Sequence, residues 1–383
     1  MSKVLRLVLW ICVVSVAWAV EEKRATRVRT EINLPDIPGY VTLKCDFHMH
    51  TVFSDGLVWP TLRVEEAWRE GLDAIALTDH VEYQPHKADV ATNNHNRCFE
   101  IARPAGTDLG IIVLRGAEIT RQMPPGHLNA IFLTNTTRLA VAEWQEAVQE
   151  ARAQGAFLFW NHPGWERQLQ EDKMVRWYPE HTELQQQGLL QGIEVVNGRS
   201  YYPEAHRWAL EKKLTMMSNS DIHTAVTLDY HVHAGDHRPM TLVFAKERTA
   251  EAIKEALLQR RTAVYAGNRL IGEEKFLRPI FERSLHVKNP LVRIKDKQRV
   301  LVQITNLSDL DYSLLSDGEV EGVTFPNEVM FPARKTALLE LRGTGSAAPN
   351  KHTLQLPFKV SNLLVAPDEP LRATLSLDVE FAR

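Results

Sequence analysis

Cysteine is scarce in this 383-residue chain, which has three. Cys12 falls in an apolar amino-terminal run, and the remaining pair, Cys45 and Cys98, is too small a set to brace a fold with disulfides. Cys45 reads as a small buried apolar residue. An excess of charge of one sign is also missing: 45 basic residues against 48 acidic ones leave a net charge of -3. The chain therefore exerts no long-range pull on nucleic acid and carries no basic run to track a polyanion, so nucleic acid is disfavoured as a partner. Internal repeats and low-complexity segments are absent as well. The sequence is silent on oligomeric state.

Long apolar runs are lacking too. Leu7 to Ala17 is too short for a comfortable membrane span. It follows Lys3 and Arg6 and ends in the small-x-small site Ala17-Trp18-Ala19, which is the pattern of a secretory signal peptide over residues 1–19. Ile11, before Cys12, is not the small residue that lipid attachment needs. The expectation is an exported chain, periplasmic or secreted, with no stable membrane anchor after cleavage and a polar extension over residues 20–41. What remains is longer than one ordinary core supports, so two domains are expected, at 42–268 and 269–383.

In the first of these, short apolar runs alternate with segments of helical period. Val41-Phe47, Ala74-Leu77, Ile111-Ala117, Leu128-Leu133, Ala156-Trp160, Gly192-Val196, Leu214-Met217 and Thr241-Ala245 read as strands. "TLRVEEAWREG", with Thr61 as cap and Glu65 and Glu66 in the first turn, "RLAVAEWQEAVQEARAQG" and "TAEAIKEALLQRR" read as helices. Such alternation argues for parallel strands packed by helices, as an open sheet or a barrel. Beyond about Leu270 the texture turns to β-rich runs broken by Asn-Pro, Asp-Gly and Gly-rich turns, with no convincing helix. That predicts a small antiparallel β-sandwich.

The chemistry lies at the ends of the apolar runs. In "DFHMHTVFSDG", His48 and His50 are two apart on a strand and so present their imidazoles to one side, while Asp55 sits in the turn that follows. "AIALTDH" delivers Asp79 and His80, "IIVLRGAEIT" Glu118, "FLFWNHPGW" His162, and "MMSNSDIH" Asp221 and His223; His127 stands where a strand begins. An interior built from so many imidazoles and carboxylates without a cation would carry a prohibitive desolvation penalty. Imidazoles with carboxylates and no thiolate suit zinc, manganese or iron and leave positions open for water. Asp79 either supports the ligands or positions water. Asn197 and Arg199 follow a strand into the same rim, where both could meet a substrate and Arg199 could grip an anionic oxygen and share its charge. His231, with His233 and His237, lies just after the Asp-x-His pair and could line the substrate mouth.

HxH with a Ser-Asp-Gly turn, then Thr-Asp-His, Gly-x-Glu, a lone His, His-Pro and Asp-x-His, in this order from Leu43 to Gly267, resemble the polymerase and histidinol phosphatase (PHP) family of metal-dependent phosphoesterases. Within it the chain is similar to exported phosphodiesterases with an appended β domain. The resemblance implies a distorted (β/α)7 barrel and three divalent metal ions. His48, His50, Glu118 and Asp221 would hold the first. Glu118 would bridge to a second completed by His127 and His162, and Asp55, His80 and His223 would hold the third. The expected reaction is hydrolysis of a small phosphodiester by a hydroxide bridging two metals. Alternatives are a phosphomonoesterase of the same fold, a metal-dependent amidohydrolase, which often needs a bridging modified lysine, and a non-catalytic metal- or surface-binding protein.

Overall fold

The computed structural model describes residues 27–90 and 93–382. The expected signal peptide, 1–19, lies outside the described residues. All eight expected strands are present within a residue or two of their expected ends. They are β1 (Val41–Asp46), β2 (Ala74–Leu77), β3 (Ile112–Ile119), β4 (Leu128–Ile131), β5 (Phe157–Trp160), β6 (Gly192–Asn197), β8 (Thr215–Asn219) and β9 (Met240–Ala245), and a short unexpected strand, β7 (Ser200–Tyr201), follows β6. The hairpin β10 (Thr262–Ala266) and β11 (Arg269–Ile271) follows.

Pairing runs parallel through β1, β2 and β3, antiparallel through β3, β4 and β5, and parallel again through β5, β6 and β8. On the far side β1 pairs antiparallel with β9, and β9 with β10. The sheet closes between β8 and β9 by a side chain rather than by a backbone ladder. The Thr241 hydroxyl accepts from Ser218 N at 2.9 Å and donates to Ser218 O at 2.9 Å. At the mouth the chain ends beyond β1 and β8 meet directly, where Asp221 N donates to His48 O and His50 N to Ile222 O. The result is a distorted barrel of mostly parallel strands, with β1 to β5 buried almost throughout because helices cover the outside and side chains fill the inside.

The helices are α1 (Pro60–Arg69), α2 (Arg97–Leu109), α3 (Trp144–Ala153), α4 (Pro179–Gln186), α5 (Pro203–Lys212), the single turn α6 (Val226–Asp229), α7 (Ala250–Leu258) and α8 (Glu274–Ser284). Two differ from expectation. In α1 the cap position is Trp59, with Pro60 opening the helix, so Thr61 is already inside it and the first turn holds no acid. Proline's fixed φ and missing N–H suit that first position. Helix α8 lies in the region expected to have none. Pro279 inside it hides the signal, yet Phe276, Leu277, Ile280 and Phe281 form a buried stripe.

The carboxy-terminal domain is a β-sandwich. Strands β12 (Leu285–Val287), β14 (Arg299–Asn306), β16 (Val323–Thr324) and β18 (Thr336–Gly343) form an antiparallel sheet. Strands β13 (Val292–Lys295), β15 (Tyr312–Ser316), β17 (Glu328–Phe331), β19 (Lys351–Ala366) and β20 (Glu369–Ala382) form the other, in which β13 runs parallel to β20. This second sheet is continuous with the barrel, because β19 pairs parallel with β11 through Leu363 opposite Leu270 and Leu364 opposite Ile271. The extension before β1 is drawn into the same junction, with Asn33 N donating to Asp309 at 2.6 Å.

Leu363 and Leu270 are both fully buried where the two domains share a sheet. Leu363→Ala is expected to lower stability by about 2–5 kcal/mol, the usual range for a buried leucine truncated to alanine. Urea denaturation followed by far-ultraviolet circular dichroism and by tryptophan fluorescence, all nine tryptophans lying before β12, should give coincident transitions. Two separated transitions would show that the junction does not couple the domains.

Candidate metal centre

The site sits at one end of the barrel, where strands finish and the chain turns outward. His48 and His50 lie just beyond β1, Asp79 and His80 beyond β2, Glu118 near the end of β3, His162 beyond β5, and Asp221 and His223 beyond β8. His127 immediately precedes the antiparallel β4, so a strand running the other way contributes its beginning. An isolated bridge sets His80 level with Glu118, and another sets Met49 level with Ile222. His162 and Asp221 have φ of 26° and 53°, a left-handed backbone that non-glycine residues adopt at some cost. Two such residues, each just past a strand end in one cavity, mark a functional constraint.

The turn carrying Asp55 is fixed by close contact. A side chain on Gly56 would come within 2.6 Å of the His50 carbonyl carbon, so glycine alone lets this turn fold against the strand end. Asp79 holds the same turn from the other side. Its carboxylate accepts from Thr51 N at 2.6 Å, Thr51 Oγ1 at 2.7 Å and Ser54 Oγ at 2.7 Å. These bonds tie up its oxygens, and Asp79 is not among the residues lining the cavity. It holds the turn that carries the expected ligand Asp55 and does not itself face the cavity.

Glu118 is the centre of the arrangement and is fully buried. Its Oε2 lies 3.2 Å from His48 Nε2, 3.2 Å from His50 Nε2 and 3.2 Å from His80 Nδ1. Its Oε1 lies 2.7 Å from His127 Nδ1, 3.6 Å from His162 Nε2 and 3.0 Å from Asn161 Nδ2. The two oxygens thus face different histidines. Asp221 Oδ1 stands 3.1 Å from His48 Nε2 and 3.0 Å from His50 Nε2. Asp55 Oδ1 is 3.2 Å from His223 Nε2 and 3.5 Å from His80 Nε2, yet it is buried and makes no well-formed hydrogen bond.

Three sets of ligand atoms lie within 4.8 Å of one another: His48, His50, Glu118 and Asp221; His50, Asp55, His80 and His223; and His80, Glu118 and His127. His162 adjoins the last set, its ring 4.9 Å from that of His127. Seven of the nine residues expected as ligands line one cavity of about 710 Å³, walled by Trp165 and Tyr83, and the other two, His48 and His50, adjoin it through Glu118 and Asp221. The charges show why a cation suits it. Burial by itself pushes the His48 imidazole down, but Asp221, Glu194 and Glu118 hold it well above the usual histidine range. Burial pushes Glu118 up, but His80, His48 and His127 hold it well below the carboxylate range. Asp55 and Asp221 are depressed in the same way by their histidines, while His162 and His223 are raised by their carboxylates. Protons on these histidines stand where divalent ions would neutralise the same carboxylates, so the residues fit metal.

Three expected contacts with substrate are not supported by placement. Arg199 is exposed and lines a separate cavity, held by Asp236 at 2.6 Å and the Asp229 carbonyl at 2.8 Å, with its guanidinium over the Tyr230 ring. Asn197 donates to Glu194 at 2.8 Å and to Asp221 at 3.4 Å, so it braces carboxylates instead of facing a ligand. His231 is exposed, with its backbone N bonded to Asp236, and it does not line the metal cavity. The cation that does line it is Arg167, whose guanidinium lies 5.8 Å from the Trp165 ring centroid. Sequence reading passed over Arg167 because it sits in a polar loop. It also passed over Glu194, a charged residue inside the apolar run "GIEVV", although that position was itself a signal.

A family model for the PHP domain matches residues 46–211, and one for an Ig-like domain matches 285–376. A crystal structure from Bacteroides vulgatus, described as a two-domain protein containing a predicted PHP-like metal-dependent phosphoesterase, is 46% identical and superposes with a TM-score of 0.85. The match covers 92% of this chain and 100% of that one. A 5'-3' exoribonuclease from Haemophilus influenzae is 28% identical over 117 residues, which is 30% of this chain and 38% of that protein. The chain thus spans well under half the length of that curated relative.

The histidines with raised pKa contribute stability that is full below the unfolded value of about 6.5 and is lost as pH rises through their folded values. Without metal, the melting temperature is therefore expected to fall as pH rises above about 6.5. With zinc, which takes neutral imidazoles, the gain over the chelator-treated protein should widen across the same range. Differential scanning fluorimetry between pH 6 and 9 checks this, and a zinc effect that shrinks with rising pH would contradict the ligand assignment.

Proposed function

This chain belongs to the PHP family of metal-dependent phosphoesterases, and from that premise we propose that it hydrolyses small phosphodiesters at a centre of three divalent ions. The observation that carries the reading is the central carboxylate, Glu118, whose two oxygens face separate groups of imidazoles. His48, His50, Glu118 and Asp221 would hold one ion, Glu118, His127 and His162 a second, and Asp55, His80 and His223 a third. Such ions supply Lewis acidity to phosphoryl oxygens and generate a strong oxygen nucleophile near neutral pH.

The chain's own residues set the remaining conditions. Three ligand carboxylates against three divalent ions leave a site that attracts an anion. Among the described residues Arg167 is the only lysine or arginine lining the cavity, which suits the single negative charge of a diester better than a monoester dianion. Trp165 and Tyr83, beside different histidines of the cluster, give apolar walls to the two arms of a diester; the Trp165 ring is 5.2 Å from His162 and the Tyr83 ring 6.0 Å from His80. No lysine among the described residues lines the cavity, which counts against the amidohydrolase alternative. Zinc, manganese and iron all suit the donor set. Export rests on the amino-terminal sequence, and no helix among the described residues is long and apolar enough to cross a membrane.

Turnover of bis(p-nitrophenyl) phosphate should exceed that of p-nitrophenyl phosphate after reconstitution with manganese or zinc. No turnover of either would sink the esterase reading, and faster monoester turnover the diester preference. Glu118→Gln, which removes a shared charged ligand, should reduce kcat by at least about a thousandfold, the scale on which loss of a key electrostatic group acts. Arg167→Ala should raise KM for the diester by roughly tenfold, about the value of one charge-assisted hydrogen bond, with little change in kcat.

A further inference from the structure

Glu194 is fully buried at the middle of β6, and every hydrogen bond it makes leads to the metal centre or to the strands that shape it. Its Oε1 lies 2.9 Å from His48 Nδ1 and accepts from Asn219 Nδ2 at 3.0 Å. Its Oε2 accepts from the backbone N of His162 at 2.7 Å and from Asn197 Nδ2 at 2.8 Å. Asn219 cannot turn its amide over, because its Oδ1 accepts from Phe47 N at 2.8 Å. Three of the four groups facing Glu194 are donors, and a carboxylate, with four acceptor sites and no proton to give, is matched by His48 Nδ1 when that nitrogen carries the proton.

From this geometry we propose that Glu194 is a positioning residue that holds the proton of His48 on Nδ1, so that the lone pair of Nε2 points at the first ion. Nε2 is the nitrogen that faces Glu118 and Asp221, so only this tautomer lets His48 join its expected partners. The same carboxylate ties the His162 backbone to His48, linking a ligand of one ion to a ligand of another. The charge also reinforces the basicity of the imidazole, as a carboxylate behind a metal-bound histidine does. The inference rests on the metal-binding part of the reading above and not on the choice of ester.

Glu194→Gln keeps the shape and reverses one half of the pattern. The His162 backbone N–H can only donate, so the glutamine oxygen stays with it and the new NH₂ faces His48 Nδ1. A donor there drives the imidazole proton to Nε2 and withdraws the lone pair from the ion. Zinc binding to the full-length protein, measured by competition with a chromophoric chelator, should then show one ion weakened by about ten- to a hundredfold, the range found when a metal-bound histidine loses its carboxylate partner. The ion held by Asp55, His80 and His223 should keep its affinity.

Long-range proton–nitrogen correlation spectra of zinc-loaded wild type should show the His48 proton on Nδ1 and the shift of a metal-bound nitrogen at Nε2, a signature that a merely structural role would not require. Wild-type affinities for every ion in Glu194→Gln, or a wild-type His48 with its proton on Nε2, would overturn the proposal. If the variant proves insoluble, the wild-type spectrum decides alone. A wild type that binds no zinc, manganese or iron would overturn the metal reading along with it, whereas normal wild-type binding left unchanged by the variant refutes only the part given to Glu194.

Discussion

A carboxylate at the centre of a protein has to be neutralised, and the buried charge of Glu118 is the constraint around which this barrel mouth is organised. It has no solvent exposure, and moving an ionised carboxylate out of water carries a penalty of several kcal/mol even after the protein relaxes. His48, His50, His80, His127 and His162 approach it from four different strand ends. Neutral imidazoles alone do not balance it together with Asp221 and Asp55. Either several of the histidines are protonated, or cations stand between them and the carboxylates. The second arrangement leaves each imidazole in its common neutral form and uses the lone pairs already directed inward.

Gathering like groups in one place needs rigid support, and two buried arginines supply it from behind. Arg63 of α1 donates to the carbonyls of His50, Ile222 and Thr224 at 2.9, 3.1 and 2.7 Å. It thereby pins together the two segments that carry the HxH and Asp-x-His pairs. Arg238 is clasped by both oxygens of Glu70 and by Asp46, whose other contacts reach Ser220 just before Asp221. Each arginine is buried with its donors paired, so its desolvation is offset locally. The left-handed backbone of Asp221 is flanked by these contacts, and that of His162 is held by Glu194, which accepts from its N at 2.7 Å.

Much of this was legible in the sequence because barrels place functional groups at strand ends, and apolar runs mark strands plainly. The motifs from His48 to His223 could be read as one site on that basis, and the structure gathers all of them. Spacing along the chain could not show which way a loop residue turns. Arg199 follows β6 into the rim by sequence, but in space it is captured by Asp236 and Tyr230, while Arg167, in a loop with no periodic signal, reaches the cavity. Glu194 did carry a signal, a charge within an apolar strand, but the sequence does not show the groups that face it. Helix α8 was hidden by Pro279, whose local effect on the chain is outweighed by the packing of Phe276, Leu277, Ile280 and Phe281.

The second domain follows from the way the barrel ends. After β9 the sheet continues through the hairpin of β10 and β11, which leaves β11 as an open edge of unpaired backbone groups. Strand β19 satisfies that edge in parallel register, and Asn362 beside it donates to the carbonyls of Asn268 and Asp311. Helix α8 then lies with its apolar stripe in the same hydrophobic cluster as β2, β9 and the sandwich strands. The sandwich is therefore less a separate module on a linker than the continuation of the barrel's own sheet. Its contribution to the metal centre acts through β9 and β10, whose side chains Thr241 and Thr262 bond the carbonyls of β8 at Ser218 and Met216. Those bonds close the barrel beside Asp221, so an edge sealed far from the cavity helps hold one of its ligands in place.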